Sequence, residues 1–508
     1  MGHPFFGKKF LFTQPNGYQF QVTGWGNDSY ALFETEDGYT IFQNPESRMF
    51  SYAALDTKTG QLVATKYIVG IADPEALVLE RHVRESNRIV TRKQKQRSDN
   101  DSLWRRRRNR AKSLEGPTPF STSDPSIGFS SGQIVGDIVG LCIPVEFQDE
   151  SANFEKLEIE NFCNQIGYNK FGNSGSVRDY FLDVSLNKFN YTNLVTPVYR
   201  AKKTKEYYTN PLIPKKKRTI ELIEEALAYF IDLGFDFSSL TVDDNNAIYA
   251  LNVFYSGAVE NNFDEGLWPH QFHLSNPIDI GSGYVVDYQI TNMGEELVIG
   301  TFCHETGHLL CRFPDLYDTN FKSAGTGVYC LMGLGGIIDE RNPAHPCAYL
   351  KFEAGWYGPI EGLANGKSIT LRDDDNSMAF YMRNNTEYYV IEHRSAKDRD
   401  QILPSTGLAI WHIDTMQPDN NDPSDDPDNH YLCALLQADG KFHLEWNTND
   451  GDERDLYGQN GYSAFPNTDD GADAKWWDGT PTNLTLSDIQ SDDDKTTFVV
   501  SIGGHLGV

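Results

Sequence analysis

The 508-residue sequence lacks several features, and each absence excludes a class of protein. It contains no apolar run of 18 residues, so no membrane-spanning helix is expected. It lacks an excess of basic residues, and its formal net charge of −28 excludes a generally basic nucleic-acid binder. It also lacks a Gly-rich phosphate loop, which argues against a nucleotide-using enzyme.

Cysteine is scarce and begins late in the chain. The first of the seven cysteines is Cys142, and no Cys-x-x-Cys spacing occurs, which argues against a cysteine zinc cluster. The first residues hold no apolar core long enough for a secretory signal. The sequence therefore leaves two possibilities, a protein that stays inside the cell or a chain that starts after a removed signal.

Basic residues are concentrated in one segment of this acidic protein. Residues 81–112 contain 13 Lys and Arg against 3 Asp and Glu, and the rest of the chain carries a net charge of −38. Because residues 92–119 are also poor in apolar side chains, the segment is typical of an exposed linker between domains. An anion- or surface-binding patch is the alternative interpretation.

The hydrophobic pattern predicts an α+β protein with different secondary structure in its three parts. Short strands and turns are expected over residues 1–80 and again from residue 362 onwards. In between, buried strands are predicted at 138–145 and 247–255, and helices at 74–97, 218–233 and 295–310.

The helix predicted over 295–310 contains the sequence His-Glu-Thr-Gly-His. His304 and His308 are four residues apart, so they lie on the same helix face and their imidazoles can converge on one ion. Glu305 lies about 100° further round the helix, beside such an ion, where it can take a proton from a metal-activated water. This spacing favours a zinc-dependent hydrolase over a surface helix with two uninvolved histidines.

Further landmarks follow this helix in order. His308 leads into a Pro-Asp-Leu-Tyr-Asp stretch at 314–318, then into a glycine-flanked turn that contains Met332, and then into 343–356. With these motifs the chain resembles the immune inhibitor A family of secreted zinc metallopeptidases, which are relatives of the metzincins. Similar segments extend over nearly the whole chain, at 30–39, 175–181, 234–237, 250–252, 388–392, 407–414, 451–457 and 477–480.

The resemblance implies a fold and a domain organisation. Residues 113–361 would form a zincin/metzincin-like catalytic domain, with a twisted sheet above the zinc helix. Residues 1–112 would form a β-rich propeptide-like domain followed by the basic linker, and residues 362–508 a β-rich C-terminal region.

The resemblance also implies an activity, a secreted zinc endopeptidase that is made as a latent precursor and acts on proteins or peptides. Zn²⁺ would be bound by His304, His308 and Asp315, with Glu305 as the general base and Met332 as an apolar floor. An activating protease would cut within the linker at 92–112. No nucleic-acid partner and no transmembrane segment are expected. A catalytically inactive binding protein that keeps the fold is the alternative.

One departure from the family pattern lies directly after His308. The family has Gly three residues after the second histidine and Asp three residues later, whereas here Cys311 takes the glycine place and Asp315 comes one residue late. Asp315 is therefore the expected third ligand, and Asp318 is its competitor. Cys311 and Cys330 are either linked, which would replace the lost rigidity, or two of four small buried thiols.

Two other groups of residues suggest binding sites. Asp and Asn are dense at 419–428 and 447–455, where they are either Ca²⁺ ligands or solvated acidic loops. His270 and His273, beside Trp268, either line a cleft or are ordinary core and surface histidines.

Overall fold

The computed structural model describes most of the chain between Phe5 and residue 503. The described residues are 5–26, 30–44, 47–86, 89–90, 133–210, 215–259, 267–319, 322–421, 430–467 and 474–503. The basic linker predicted at 92–112 lies outside them. Within the described ranges, no helix is both long and apolar enough to cross a membrane.

The N-terminal part is a six-stranded antiparallel meander, as the short strands and turns predict. Its strands are β1 (Phe5–Thr13), β2 (Gln19–Gly26), β3 (Ala31–Thr35), β4 (Thr40–Gln43), β5 (Phe50–Leu55) and β6 (Leu62–Ile68). Gly17 turns the chain between β1 and β2 with a φ of 87°, a conformation that glycine adopts without strain. The helix predicted at 74–97 is wrong over residues 74–86, which form turns, bends and irregular backbone, whereas residues 89–90 are helical.

A mixed sheet occupies the middle of the chain. Its strands are β7 (Gly136–Glu146), β8 (Phe189–Val195), β9 (Tyr199–Arg200), β10 (Leu251–Tyr255), β11 (His270–Asp279) and β12 (Tyr284–Asn292). The order is β11-β12-β10-β7-β8, with β9 beside β7; β11 is an antiparallel edge strand and the other neighbours are parallel. The interior strands β7 and β10 are mostly apolar, as expected where both faces of a sheet are covered, whereas β12 also carries the buried polar residues Asp287, Gln289 and Thr291.

Helices cover the two faces of this sheet. They are α1 (Lys156–Asn164), α2 (Val177–Val184), α3 (Lys205–Tyr208), α4 (Lys215–Asp232) and α5 (Ile299–Leu309). A further helix, α6 (Ala348–Ala354), packs on the C-terminal part of the chain. The apolar face of α4, predicted from its spacing, packs on one side of the sheet, while α1, α2 and α5 pack on the other. Gln289 on β12 donates a 3.2 Å hydrogen bond to Thr306 on α5, which ties this helix to the sheet above it.

The C-terminal part contains two further sheets. One consists of β13 (Ile360–Gly362), β15 (Met378–Met382), β16 (Glu387–Arg394), β17 (Gly407–Asp414) and β18 (Cys433–Leu435). The other consists of β14 (Ser368–Arg372), β19 (Leu484–Ser491) and β20 (Lys495–Ile502). The predicted boundary at 361/362 falls within β13. Apolar side chains from α5, α6, β16 and β17 share one core, so the packing is continuous across that boundary.

The N-terminal meander packs against the middle part through aromatic side chains. Trp268, two residues before β11 begins, is 4% exposed and belongs to the apolar core of the meander. Its ring centroid lies 5.0 Å from that of Phe5 and 6.4 Å from that of Phe10. The meander is therefore attached next to the edge strand of the sheet that lies over α5.

Candidate metal centre

Helix α5 begins later than the sequence predicts because distant residues cap it. Its first residue is Ile299, whereas the prediction began at Glu295. The side-chain oxygen of Asn173 accepts a hydrogen bond from the Ile299 N–H at 3.2 Å, and the Glu340 carbonyl accepts from Gly300 at 2.7 Å. These partners satisfy N–H groups that the local sequence leaves without a cap.

The structure brings His304, His308 and Asp315 together. The Oδ1 atom of Asp315 lies 3.4 Å from Nε2 of His304 and 3.0 Å from Nε2 of His308. Donor atoms placed about 2.1 Å from a tetrahedral zinc would be separated by roughly 3.4 Å. The three side chains, each at most 1% exposed, therefore form a donor set that fits a zinc ion.

Backbone carbonyls orient both histidines. Nδ1 of His304 lies 3.1 Å from the Leu331 carbonyl, and Nδ1 of His308 lies 2.7 Å from the Phe313 carbonyl. A carbonyl can only accept, so each Nδ1 carries the proton and each Nε2 presents its lone pair towards Asp315. Such outer partners fix the tautomer and ring orientation of a metal-ligating histidine.

The electrostatics of the group agree with this tautomer. Burial lowers the pKa of His308, and this effect exceeds the opposite influence of Asp315, so the imidazole is neutral near pH 7. A neutral imidazole and a carboxylate thus face each other with lone pairs, and a cation between them removes the repulsion.

The loop after α5 explains why Asp315 reaches the histidines although it comes one residue late. The residue with a positive φ is Arg312, at 59°, rather than Cys311 in the glycine place of the family pattern. The left-handed residue therefore lies one position beyond the glycine place of that pattern, just as Asp315 lies one position beyond its aspartate place. Asp318 lies elsewhere, and its Oδ2 accepts the backbone N–H of Lys322 at 3.2 Å.

Met332 lies directly beneath the helix, at a point where the helix has no side chain. A Cβ atom on Gly307 would come within 3.0 Å of the Met332 sulfur and 3.3 Å of the Phe313 ring. Gly307 therefore lets the Met332 turn approach the helix that carries both histidines. Glu305 lies on the same helix and is fully buried.

The cysteines form no link in this region. All seven are free and buried, so the alternative of a Cys311–Cys330 bond is not realised. Instead, the Cys330 sulfur accepts the backbone N–H of Cys347 at 3.3 Å, and the Cys347 and Cys433 sulfurs lie 4.0 Å apart. Burial raises the pKa of the Cys311 and Cys330 thiols, which keeps them protonated.

The paired histidines upstream do not join the candidate metal centre. His270 is buried at the start of β11, and its Nδ1 lies 2.5 Å from the Trp268 carbonyl. His273 stacks on Phe272 with ring centroids 4.2 Å apart and faces a surface hollow beside α4. Of the two acidic segments, residues 422–429 lie outside the described residues, whereas 447–455 is described throughout.

Sequence reasoning missed the groups that hold the ligands in place. The carbonyls of Leu331 and Phe313 are backbone atoms, so no residue type in the sequence signals them. Tyr317 is a further neighbour, with its ring centroid 6.4 Å from that of His304. Its place in the Pro-Asp-Leu-Tyr-Asp stretch is the one sequence signal that could have drawn attention to it.

No known family model matches the chain, and no curated protein matches it either. The resemblance to the immune inhibitor A family therefore depends on the ordered sequence motifs alone.

Proposed function

We propose that this chain is a zinc-dependent endopeptidase made as a latent precursor. The observation that carries the proposal is the convergence of His304, His308 and Asp315 on one point, with donor separations of 3.0–3.4 Å from the carboxylate oxygen. Zinc bound there would act as a Lewis acid on the scissile carbonyl and lower the pKa of the attacking water to about 7.

The chain's own residues would then carry out hydrolysis. Glu305 follows His304 on α5 and takes the proton from the attacking water, whose oxygen forms the new bond to the carbonyl carbon. As the C–N bond breaks, Glu305 gives that proton to the leaving amine. The Leu331 and Phe313 carbonyls keep Nε2 of the two histidines directed at the centre throughout.

Latency is supported by burial of the centre. His304, Glu305 and His308 are fully buried and Asp315 is 1% exposed, so a peptide cannot reach Glu305 in this form of the chain. The N-terminal meander packs on Trp268, beside the edge strand over α5. Removal of residues 1–112 by a protease acting in the basic linker would take away this packing.

The remaining parts of the proposal follow from the same resemblance. The enzyme would be secreted, as its family members are, and would act on proteins or peptides. An inactive binding protein would keep the same fold, and only activity separates it from an enzyme. The altered loop after His308 was the sequence feature that favoured an inactive binding protein. In the structure Asp315 nevertheless lies 3.0 Å from His308, so this loop no longer argues for the alternative.

The experiment measures zinc content and hydrolysis of a denatured protein after the N-terminal part has been removed. Zinc bound in stoichiometric amount together with peptide cleavage is the expected result. Zinc binding without any cleavage would show that the chain is a binding protein, and absence of zinc would overturn the proposed centre.

A further inference from the structure

A second group of metal-ligating side chains lies in the acidic loop, here defined as residues 437–455. Three side chains each place one possible ligand atom within 4.8 Å of the other two: Asp439, His443 and Asp452. Nδ1 of His443 is 2.9 Å from Oδ2 of Asp452, and Asn449 donates a 2.8 Å hydrogen bond to the same oxygen. These residues belong to none of the groups that hold the candidate zinc.

Two buried carboxylates of the acidic loop have oxygens that hydrogen bonds leave unsatisfied within the described part of the chain. Asp439 is 1% exposed; its Oδ1 accepts the Lys441 N–H at 3.0 Å, whereas its Oδ2 has no hydrogen-bond partner there. Asp455 is fully buried and has an unpartnered Oδ1 as well. A buried carboxylate is costly unless a cation or a proton compensates its charge.

The charges of these carboxylates also act on one another. Burial and the neighbouring Asp452 and Asp439 raise the pKa of Asp455 to about 7. Burial, with Asp455 and Asp439 nearby, raises the pKa of Glu445 to about 7 as well. Ionising these carboxyl groups together is therefore costly, and a cation bound beside them would offset that cost.

We propose that the acidic loop binds a hard divalent cation, for which Ca²⁺ is the expected ion. Ca²⁺ takes six to eight oxygen ligands, which the carboxylates of Asp439 and Asp452 would provide together with backbone carbonyls and water. Asp455 and Glu445 would add negative charge nearby. Imidazole suits zinc or copper better, but His443 is one nitrogen among several carboxylates and already lies within hydrogen-bond distance of Asp452.

The proposed ion would stiffen a segment that supports the candidate metal centre. The Leu444 carbonyl accepts the Ala324 N–H at 2.7 Å, and the Asp450 carbonyl accepts the Val328 N–H at 2.9 Å. The Tyr329 hydroxyl donates to Asp455 Oδ2 at 3.0 Å. Because Tyr329 lies two residues before Leu331, whose carbonyl orients His304, the acidic loop holds the floor of that centre.

The test is a titration of Ca²⁺ into zinc-loaded full-length protein from which other metals have been removed. Equilibrium dialysis counts the bound Ca²⁺, and thermal unfolding reports the stabilisation that a ligand of the folded state produces. We expect saturable binding and a rise in Tm. Asp439→Asn keeps the hydrogen bond to Lys441 but removes the charge, and it should weaken Ca²⁺ binding roughly tenfold or more.

Asp243→Asn is the matched control. Asp243 also accepts a backbone N–H two residues further on, that of Asn245 at 2.9 Å, but it lies outside the acidic loop. This variant should bind Ca²⁺ as the wild type does. Equal Ca²⁺ binding by Asp439→Asn and the wild type, or no saturable binding by the wild type, would overturn the proposal. If Zn²⁺ but not Ca²⁺ bound at Asp439, the assignment of a hard cation would be wrong.

The acidic-loop proposal does not depend on peptidase activity. Glu305→Gln protein should show the same Ca²⁺ binding as the wild type, so the two proposals can fail separately. If Asp439→Asn does not fold, Asp452→Asn tests the same site, since it removes a second charge and keeps the residue's size.

Discussion

Nε2 of His308 lies 3.0 Å from Oδ1 of Asp315, a residue that follows it by seven positions rather than by the six of the family pattern. The helix end absorbs the additional residue, because Arg312 rather than Cys311 adopts the positive φ that turns the chain. The aspartate reaches the histidines as a result, which brings together the three donors proposed to bind zinc.

This geometry predicts different roles for two nearby aspartates. Asp315→Ala should lower zinc affinity by more than the roughly 10–100-fold that loss of an outer partner costs, because it removes a direct ligand. Asp318→Ala should lower stability and leave zinc affinity nearly unchanged, since Asp318 accepts a backbone hydrogen bond. Competition with a chromophoric zinc chelator measures both affinities. The opposite ranking would mean that Asp318 is the ligand.

The shifted turn can be tested by placing glycine at two adjacent positions. Arg312→Gly should stabilise the protein by about 1 kcal/mol, because a non-glycine residue in the left-handed region costs roughly 1–2 kcal/mol. Cys311→Gly is the control and should destabilise, since Cys311 is buried and has no positive φ. Urea unfolding measures both. A gain in stability at 311 but not at 312 would contradict the one-residue shift.

Latency predicts that a cut in the basic linker activates the protein. Limited trypsin should first cleave between Arg92 and Lys112, where Arg105 to Arg108 are four adjacent targets. Peptidase activity should then rise as the fragment of residues 1 to about 110 dissociates, because the meander no longer packs on Trp268. Mass spectrometry and an activity assay follow the two events together. If the uncut chain is already fully active, the meander is a permanent domain.

A buried histidine in the C-terminal sheet predicts part of the acid sensitivity. Burial and nearby Lys397 lower the pKa of His393 to about 4, against roughly 6.5 in the unfolded chain. Between these pH values the unfolded chain binds a proton that the folded protein excludes, so stability falls as the pH drops from about 6.5 to about 4. His393→Gln should lose less stability over that range, measured as Tm against pH. Parallel curves for variant and wild type would show that His393 does not contribute.

The spacing of residues along the chain was enough to predict helices whose own side chains form a regular pattern. Helix α4 appeared at its predicted place because Ile223, Leu227 and Phe230 form one apolar face. The spacing of His304 and His308 likewise placed both side chains on one face of α5. Local pattern failed where distant residues decide, since α5 begins at Ile299 only because Asn173 and Glu340 supply its cap.

The candidate centre shows the same limit. The sequence offered Asp315 and Asp318 as alternatives, and only the fold showed that Asp315 faces the histidines. The Leu331 and Phe313 carbonyls could not be predicted, because every residue has a carbonyl and tertiary structure alone decides which one meets a histidine. The docking of Phe5 on Trp268 joins residues too far apart in the chain for any pattern to connect them.

The most direct test of the proposed enzyme compares wild type, Glu305→Gln and His304→Ala after removal of residues 1–112, measuring bound zinc and the rate of peptide hydrolysis. Glu305→Gln should bind zinc as the wild type does and hydrolyse peptides about 10²–10⁴-fold more slowly, the typical loss of a positioned general base. His304→Ala should lose both zinc and activity. Full hydrolysis by Glu305→Gln would contradict the mechanism.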